Sequence, residues 1–420
     1  MRILWLCNVT LPQIAEKLNI KNSAGGGWLI ETASAIANDP SNALGYVFPQ
    51  SINHEMIAGT CGDIRYWGFP RFTDRYEEYD SSLEEEFLKI TEEFNPDVIH
   101  VWGTEFPHSL AMIKAATDKE RVIISIQGLC SIYAEHYFAY MPKNACRPTF
   151  RDIIKGDSLY QQQRAFEKRG ENEIAALALT KNVIGRTRWD KTCAEQLAPD
   201  ARYFHCNESL RAAFYESAGK WNYEACEPHS IFVSQSSYPI KGFHLVLEAA
   251  AELKKEFKDL KIYTTGSDPR SIPTYKIGTY RKYLVSLMDK YDLNASVEFL
   301  GTLGESEMCE SFLKSNVFVS ASSIENSPNS VGEAMLLGVP TVASYVGGTM
   351  DMLDDSQDGF LYPADEPYML EGYIRKLFTN PSLCRNLGQN ACRHASATHD
   401  REKNYSDLMN IYKQVAGEAQ

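Results

Sequence analysis

Short apolar runs alternate with amphipathic stretches along the whole chain. Runs at 3–7, 44–48, 98–101 and 121–126 read as strands, and 28–37 and 82–94 between them carry the apolar spacing of helices. The pattern resumes with strands at 183–185, 230–234, 261–265, 297–300, 317–320 and 341–344. Helical patterns at 243–257, 280–291, 306–314 and 331–337 lie between the later ones. Continuously apolar strands alternating with helices predict parallel sheets buried on both faces, an α/β fold. The series restarts near residue 230, after a polar, helix-like stretch at 208–227 that holds no strand. This predicts a first domain over 1–208, a connection over 209–228, a second domain over 229–400 and a closing helix within 401–420. Ligands of parallel sheets bind at the carboxyl ends of the strands. Two such sheets facing one another would put the functional site in the cleft between them.

Composition narrows the function classes. The 420 residues are 44% hydrophobic and 23% charged, an ordinary globular balance with length for two cores. The formal net charge of −13 argues against sequence-independent nucleic-acid binding, which depends on neutralising phosphates. Ten scattered cysteines form no C-x-x-C pair and no zinc-finger spacing, so they read as reduced, mostly buried thiols. The apolar stretch after Arg2 ends at Cys7 without a small-residue cleavage site, and no run has the length of a membrane span. A soluble, cytoplasmic protein is expected.

Three motifs carry chemistry. The first is Glu325-Asn-Ser-Pro-Asn-Ser-Val-Gly-Glu333, followed by Ala-Met-Leu-Leu-Gly338-Val-Pro340. It follows a strand directly, and Asn329 and Ser330 stand where a helix begins. Free N–H groups there, with the helix dipole, make an anion site. Glu333 is expected in the first turn, to cap it or to reach a sugar hydroxyl; Glu325 precedes the turn. The second motif is Lys241-Gly242, between the first strand and first helix of the second domain. Its lysine offers a point charge to phosphates and its glycine allows close approach. The third is Gly25-Gly26-Gly27 before a helix, which suits close approach to a diphosphate or sugar but is neither G-x-G-x-x-G nor a P-loop.

Lys241-Gly242, the Glu325-x7-Glu333 pair, Gly338-Val-Pro340 and Val346-Gly347-Gly348 occur in the order and at the spacing of glycosyltransferase family 4. The glycines at 25–27 and Asp97-Val-Ile-His100 resemble that family's first domain. The resemblance spans most of the chain and is densest over 230–362. It implies the GT-B fold, two Rossmann-like domains facing across a cleft, and retaining transfer from a nucleotide sugar, expected to be UDP-linked. Carried over, it assigns Lys241 to the donor diphosphate, Glu325 to the sugar hydroxyls and Glu333 to the ribose. Backbone N–H groups of Asn329 and Ser330 would meet the phosphates, Gly301 and Thr302 lie in the stretch that packs on the base, and Gly26 and Gly27 would approach the diphosphate. The closing helix would cross back onto the first domain, as in relatives.

Two departures stand out. The family's arginine six residues before the lysine is Gln235 here, and its histidine near residue 127 is replaced by Gln127. Gln127, His108 or His136 would take over the contacts of that histidine with the donor sugar. The chain has no D-x-D triplet, so no catalytic metal is expected and cations with helix-start N–H groups would stabilise the departing diphosphate. A basic stretch at 143–169, preceded by the aromatic run 133–141, contrasts with the acidic whole. It reads either as a solvated helix face or as a docking site for a lipid-linked or polyanionic acceptor at the first domain, with peripheral contact at the inner face of the membrane. The expected acceptor is a glycan or lipid-linked glycan of surface polysaccharide or glycoconjugate synthesis. A sugar-nucleotide epimerase of the same fold and an inactive sugar-nucleotide-binding protein are the rival readings.

Overall fold

The computed structural model describes residues 1–20, 27–71 and 75–417. Its chain divides into two units, Met1–Ala134 with Ala165–Ser209 and His399–Gln420, and Glu135–Arg164 with Leu210–Thr398.

The first unit is built on β1 (Arg2–Cys7), β2 (Ala43–Gln50), β3 (Ile57–Cys61), β4 (Ile64–Pro70), β5 (Val98–Trp102), β6 (Val122–Ser125), β7 (Asn182–Gly185) and β8 (Arg202–His205). They form one sheet in the order β3-β4-β2-β1-β5-β6-β7-β8, parallel except for β3 against β4. Both faces of β1 are covered, as continuous apolar strands require. Leu4 and Leu6 enter one core with Val47 and Phe87, while Ile3, Trp5 and Cys7 enter the other with Tyr46, Phe48 and Tyr412. The β3–β4 hairpin and β8 have no counterpart in the sequence pattern. β3 is half-buried at alternate positions and β8 sits at the sheet edge, so neither shows a continuous apolar run.

The helix Arg401–Ala416 belongs to this first unit. Its Tyr412 hydroxyl accepts from Trp5 Nε1 at 2.9 Å and lies 2.6 Å from His100 Nδ1. An indole N–H only donates, so Tyr412 is free to donate its own proton to Nδ1. Burial pushes the His100 pKa down to about 3, and the neutral ring keeps its proton on Nε2, 2.7 Å from Ser125 Oγ. One polar chain thereby locks the closing helix to β1, β5 and β6.

The second unit holds β9 (Glu227–Val233), β10 (Lys261–Thr264), β11 (Val297–Phe299), β12 (Ser315–Ser320), β13 (Thr341–Ser344) and β14 (Phe360–Tyr362). All are parallel, in the order β11-β10-β9-β12-β13-β14. The chain runs outward from β9 in one direction to β11, then returns to β12 on the other side. The switch point therefore lies between β9 and β12, where open α/β sheets bind ligands. The connection has a short helix, Ala212–Glu216, and Cβ-free Gly338 and Gly388 let the helices Asn329–Leu337 and Pro381–Thr398 meet closely.

Residues 135–164 pack with this second unit, against the expectation that they belong to the first domain. The anchor is Asp152, 2% exposed, which accepts from Thr279 N at 3.0 Å, from Thr279 Oγ1 and from Thr149 N at 3.0 Å. A buried carboxylate needs such donors, and here they come from the second unit's own helix start. All ten cysteines are free, seven of them buried. No helix among the described residues is long and apolar enough to cross a membrane.

Candidate functional site

Three loops at the carboxyl edge of the second sheet, those after β9, β12 and β13, are brought together by missing Cβ atoms. After β9 the chain makes a 3-10 turn, Pro239–Lys241, and reaches Gly242 with φ +67°. A Cβ there would lie 1.8 Å from the Ala321 carbonyl oxygen. Gly347, with φ +48°, would place a Cβ 1.9 Å from the Glu325 carbonyl oxygen, and Gly348 N donates to that oxygen at 3.0 Å. Ser323 N donates to Ile240 O at 2.8 Å and completes the clasp. Only glycine fits at 242 and 347.

The clasp brings Lys241 Nζ onto Glu325 Oε1 as a hydrogen-bonded ion pair, and Ser322 Oγ donates to the same oxygen at 2.8 Å. Burial disfavours the ammonium, but the charge of Glu325, with hydrogen bonds from the ammonium to Glu325 and Tyr238, outweighs it and holds Lys241 above the usual lysine pKa. The lysine side chain remains 23% exposed and the glutamate 10%, so both groups stay within reach of a ligand.

The adjoining helix, Asn329–Leu337, starts after Pro328 with no side-chain cap. Asn329 and Ser330 are half-buried there, with the partial positive end of the helix at their amides. Glu333 is the fifth residue of this helix, past the first turn in which it was expected, and it does not cap it. Instead it is 3% exposed and grips Arg211, with Nε and Nη2 each donating at 2.7 Å. Burial raises the Glu333 pKa against the pull of Arg211, and the same pair keeps Arg211 above its ordinary value despite burial. Arg211 escaped the sequence reading because it stands alone in the connection, outside any periodic pattern. Gln235, at the family's arginine position, donates to Ser237 Oγ at 3.2 Å and brings no charge. Further along the edge, Gly301 (φ +74°) and Gly266 pair through N···O distances of 2.8 and 3.2 Å, with exposed Thr302 following β11.

The first unit contributes a separate polar cluster at the carboxyl ends of β6 and β7. Gln127 Nε2 donates to Glu208 Oε1 at 2.5 Å, and Arg186 reaches Glu208 Oε2 at 2.7 Å and Gln127 Oε1 at 3.3 Å. Burial raises the Glu208 pKa, opposed by Arg186 and Gln127. His108 is 6% exposed, stacked on Phe106, and pushed down to about 3 by burial and then by Arg71, so it is a neutral core residue. His136 lies in the second unit, where its carbonyl accepts from Ser323 Oγ at 3.0 Å. Gly27 opens the helix Gly27–Asn38, and Gly26 lies outside the described residues. Glu105, just past β5, was not singled out from sequence; burial lifts its carboxyl to about 7, with Glu173 adding repulsion.

One group of three candidate metal ligands exists among the described residues, Asp354, Asp358 and His394. It lies before β14, at the amino edge of the sheet and opposite the Lys241 loop. Asp358 is already engaged there by His394 Nδ1 at 2.7 Å and Asp354 N at 2.8 Å.

Two outcomes follow from these buried carboxylates. Arg211→Ala strands Glu333 without a counter-charge and should lose about 3–5 kcal/mol of stability. Adding Glu333→Leu should recover much of that loss in chemical denaturation, and strictly additive losses would show that the two are uncoupled. Glu105 keeps its proton to higher pH in the folded state than in the unfolded one. Its contribution is therefore complete below about pH 4.5 and lost as the pH rises through about 7. Glu105→Gln should flatten the decline in denaturation midpoint over that window, an effect on the order of 3 kcal/mol at most; parallel pH profiles would show that the carboxyl ionises normally.

Residues 219–394 match the family model for glycosyl transferases group 1. D-inositol 3-phosphate glycosyltransferase from Corynebacterium urealyticum is 24% identical over 179 residues, 42% of this chain and 41% of that protein. The chain spans less than half the length of the curated relatives it matches. Sucrose-phosphate synthase from Thermosynechococcus elongatus superposes with TM-score 0.72 at 16% identity, covering 100% of both chains. HepE from Anabaena, in complex with UDP and glucose, superposes with TM-score 0.66 at 16% identity, covering 99% of this chain and 100% of that one. The chain has the GT-B fold of two Rossmann-like domains, and its second domain is similar to the group 1 glycosyl transferases.

Proposed function

We propose that the chain is a retaining glycosyltransferase that moves a sugar from a UDP-linked donor to a glycan or lipid-linked acceptor, with no metal in the chemistry. The observation that carries this reading is the Lys241–Glu325 pair beside the uncapped helix start at Asn329. It stands at the switch point of the sheet, within the segment similar to group 1 glycosyl transferases. A UDP donor is supported by the fold likeness to HepE, a protein crystallised with UDP and glucose.

The diphosphate gains charge as its bond to the sugar breaks. Lys241 and the Asn329 and Ser330 amides are fixed positive groups that bind this state better than the intact donor. A diphosphate beside Lys241 competes with Glu325 for the ammonium and frees the glutamate to accept from sugar hydroxyls. Each Glu333 oxygen accepts one bond from Arg211 and keeps a lone pair for the ribose hydroxyls. Gln127, with its amide already oriented by Glu208 and Arg186, offers a fixed hydrogen-bonding group at the carboxyl edge of the first sheet. The acceptor attacks on the face the diphosphate leaves, and a departing phosphate oxygen takes the acceptor proton, so no protein base is required.

The test is UDP release across a panel of UDP-sugars, with and without cell-derived acceptor lipids, in buffer containing EDTA. Turnover should require an acceptor and survive EDTA. Loss in EDTA with recovery on Mn²⁺ would end the metal-free mechanism, and sugar interconversion without acceptor would mean an epimerase. Lys241→Ala should lower kcat by on the order of 10²–10³, with partial rescue by Gln235→Arg. Glu325→Ala should keep UDP affinity in calorimetry and lose transfer; the reverse would exchange the two assignments.

A further inference from the structure

We propose that residues 147–155 and 274–276 form a docking surface for a bilayer rich in anionic phospholipid. The helix Phe150–Lys155 is built inside out. Its inward residue is Asp152, pinned by Thr149 and Thr279, so the apolar side chains point to solvent. Phe150 is 72% exposed, Ile153 68% and Ile154 66%. Beside them the 3-10 turn Thr274–Lys276 presents Tyr275 at 69% exposure, tied to the helix by Thr149 Oγ1 donating to Ile277 O at 3.0 Å. Contiguous exposed apolar side chains of this size mark an interaction site.

The flanking charges identify the occupant. Lys143, Arg147, Lys155 and Lys276 are exposed, and none has an ion-pair partner among the described residues. Arg151 is not part of this set, because Asp152 and Asp157 hold its guanidinium at 3.1 and 2.5 Å. Four cations without ion-pair partners, Lys276 lying over the Tyr275 ring at 5.5 Å, are a local exception on a chain of net charge −13. Aliphatic and aromatic side chains at the acyl boundary, with Lys and Arg at the headgroups and Tyr between, fit an anionic membrane surface. A second copy fits less well, since a self-complementary two-fold patch needs both signs of charge, and the carboxylates here, Asp152 and Asp157, are already engaged by Arg151.

This surface does not depend on the transfer reading, and its test uses no turnover. The full chain is sedimented with vesicles of phosphatidylcholine alone and of phosphatidylcholine mixed equally with phosphatidylglycerol, at low and high salt. Binding should appear on the anionic vesicles and weaken with salt. The triple variant Phe150→Ser, Ile153→Ser, Ile154→Ser and the charge variant Arg147→Glu, Lys155→Glu, Lys276→Glu should each lower the bound-to-free ratio on the order of a hundredfold. Both should keep the wild-type melting temperature, because the altered side chains point outward. Equal binding to both vesicle types, or undiminished binding by either variant, overturns the proposal. So does absence of vesicle binding together with a drop in light-scattering mass in the serine variant, which would make this face a contact between copies.

Discussion

Two backbone approaches too close for any Cβ hold the second domain's site together. Gly242 lies against the Ala321 carbonyl and Gly347 against the Glu325 carbonyl, and both glycines have positive φ. Without that closeness the loop after β12 would stand further from the loop after β9 on one side and from the loop after β13 on the other. Lys241 would then be a solvated surface lysine and Glu325 a loop carboxylate. The parallel sheet supplies the edge and the switch point, and the glycines supply the last ångströms.

On this frame the charges are arranged as pairs with different accessibilities. Lys241 and Glu325 keep some exposure, so their partnership can be exchanged for a ligand's groups. Arg211 holds the buried Glu333 in bidentate geometry, which leaves only the outer lone pairs of the carboxylate available. The first pair is suited to exchange partners and the second to stay in place. In the first domain, Glu208 plays a comparable fixed role for Gln127, holding the amide on one side while Arg186 holds it on the other.

The segment over 135–164 shows how one buried carboxylate decides where a basic stretch belongs. Asp152 takes donors from Thr279 and Thr149, which commits the stretch to the second unit and turns its helix so that Phe150, Ile153 and Ile154 face outward. The polar anchor on the inside and the apolar face on the outside are two consequences of the same set of hydrogen bonds.

The sequence by itself determined the architecture and the loops that carry Lys241 and Glu325. Strands with an unbroken apolar run are legible, as β1, β5, β9 and β12 are, and so is the helix starting at Asn329, whereas buried β4 is interrupted by Arg65 and Gly68 and is not legible. Edge elements were not legible, because β3 and β8 are covered on one side at most and carry mixed patterns. Pairings distant in sequence were not legible either. Nothing in the connection marks Arg211 as the partner of a glutamate 122 residues away. Thr149 is a local capping partner of Asp152, but nothing near it shows that its other donors, on Thr279, lie 127 residues further on. Those partnerships depend on which side chains the closed fold leaves buried and unsatisfied, and local periodicity carries no record of that.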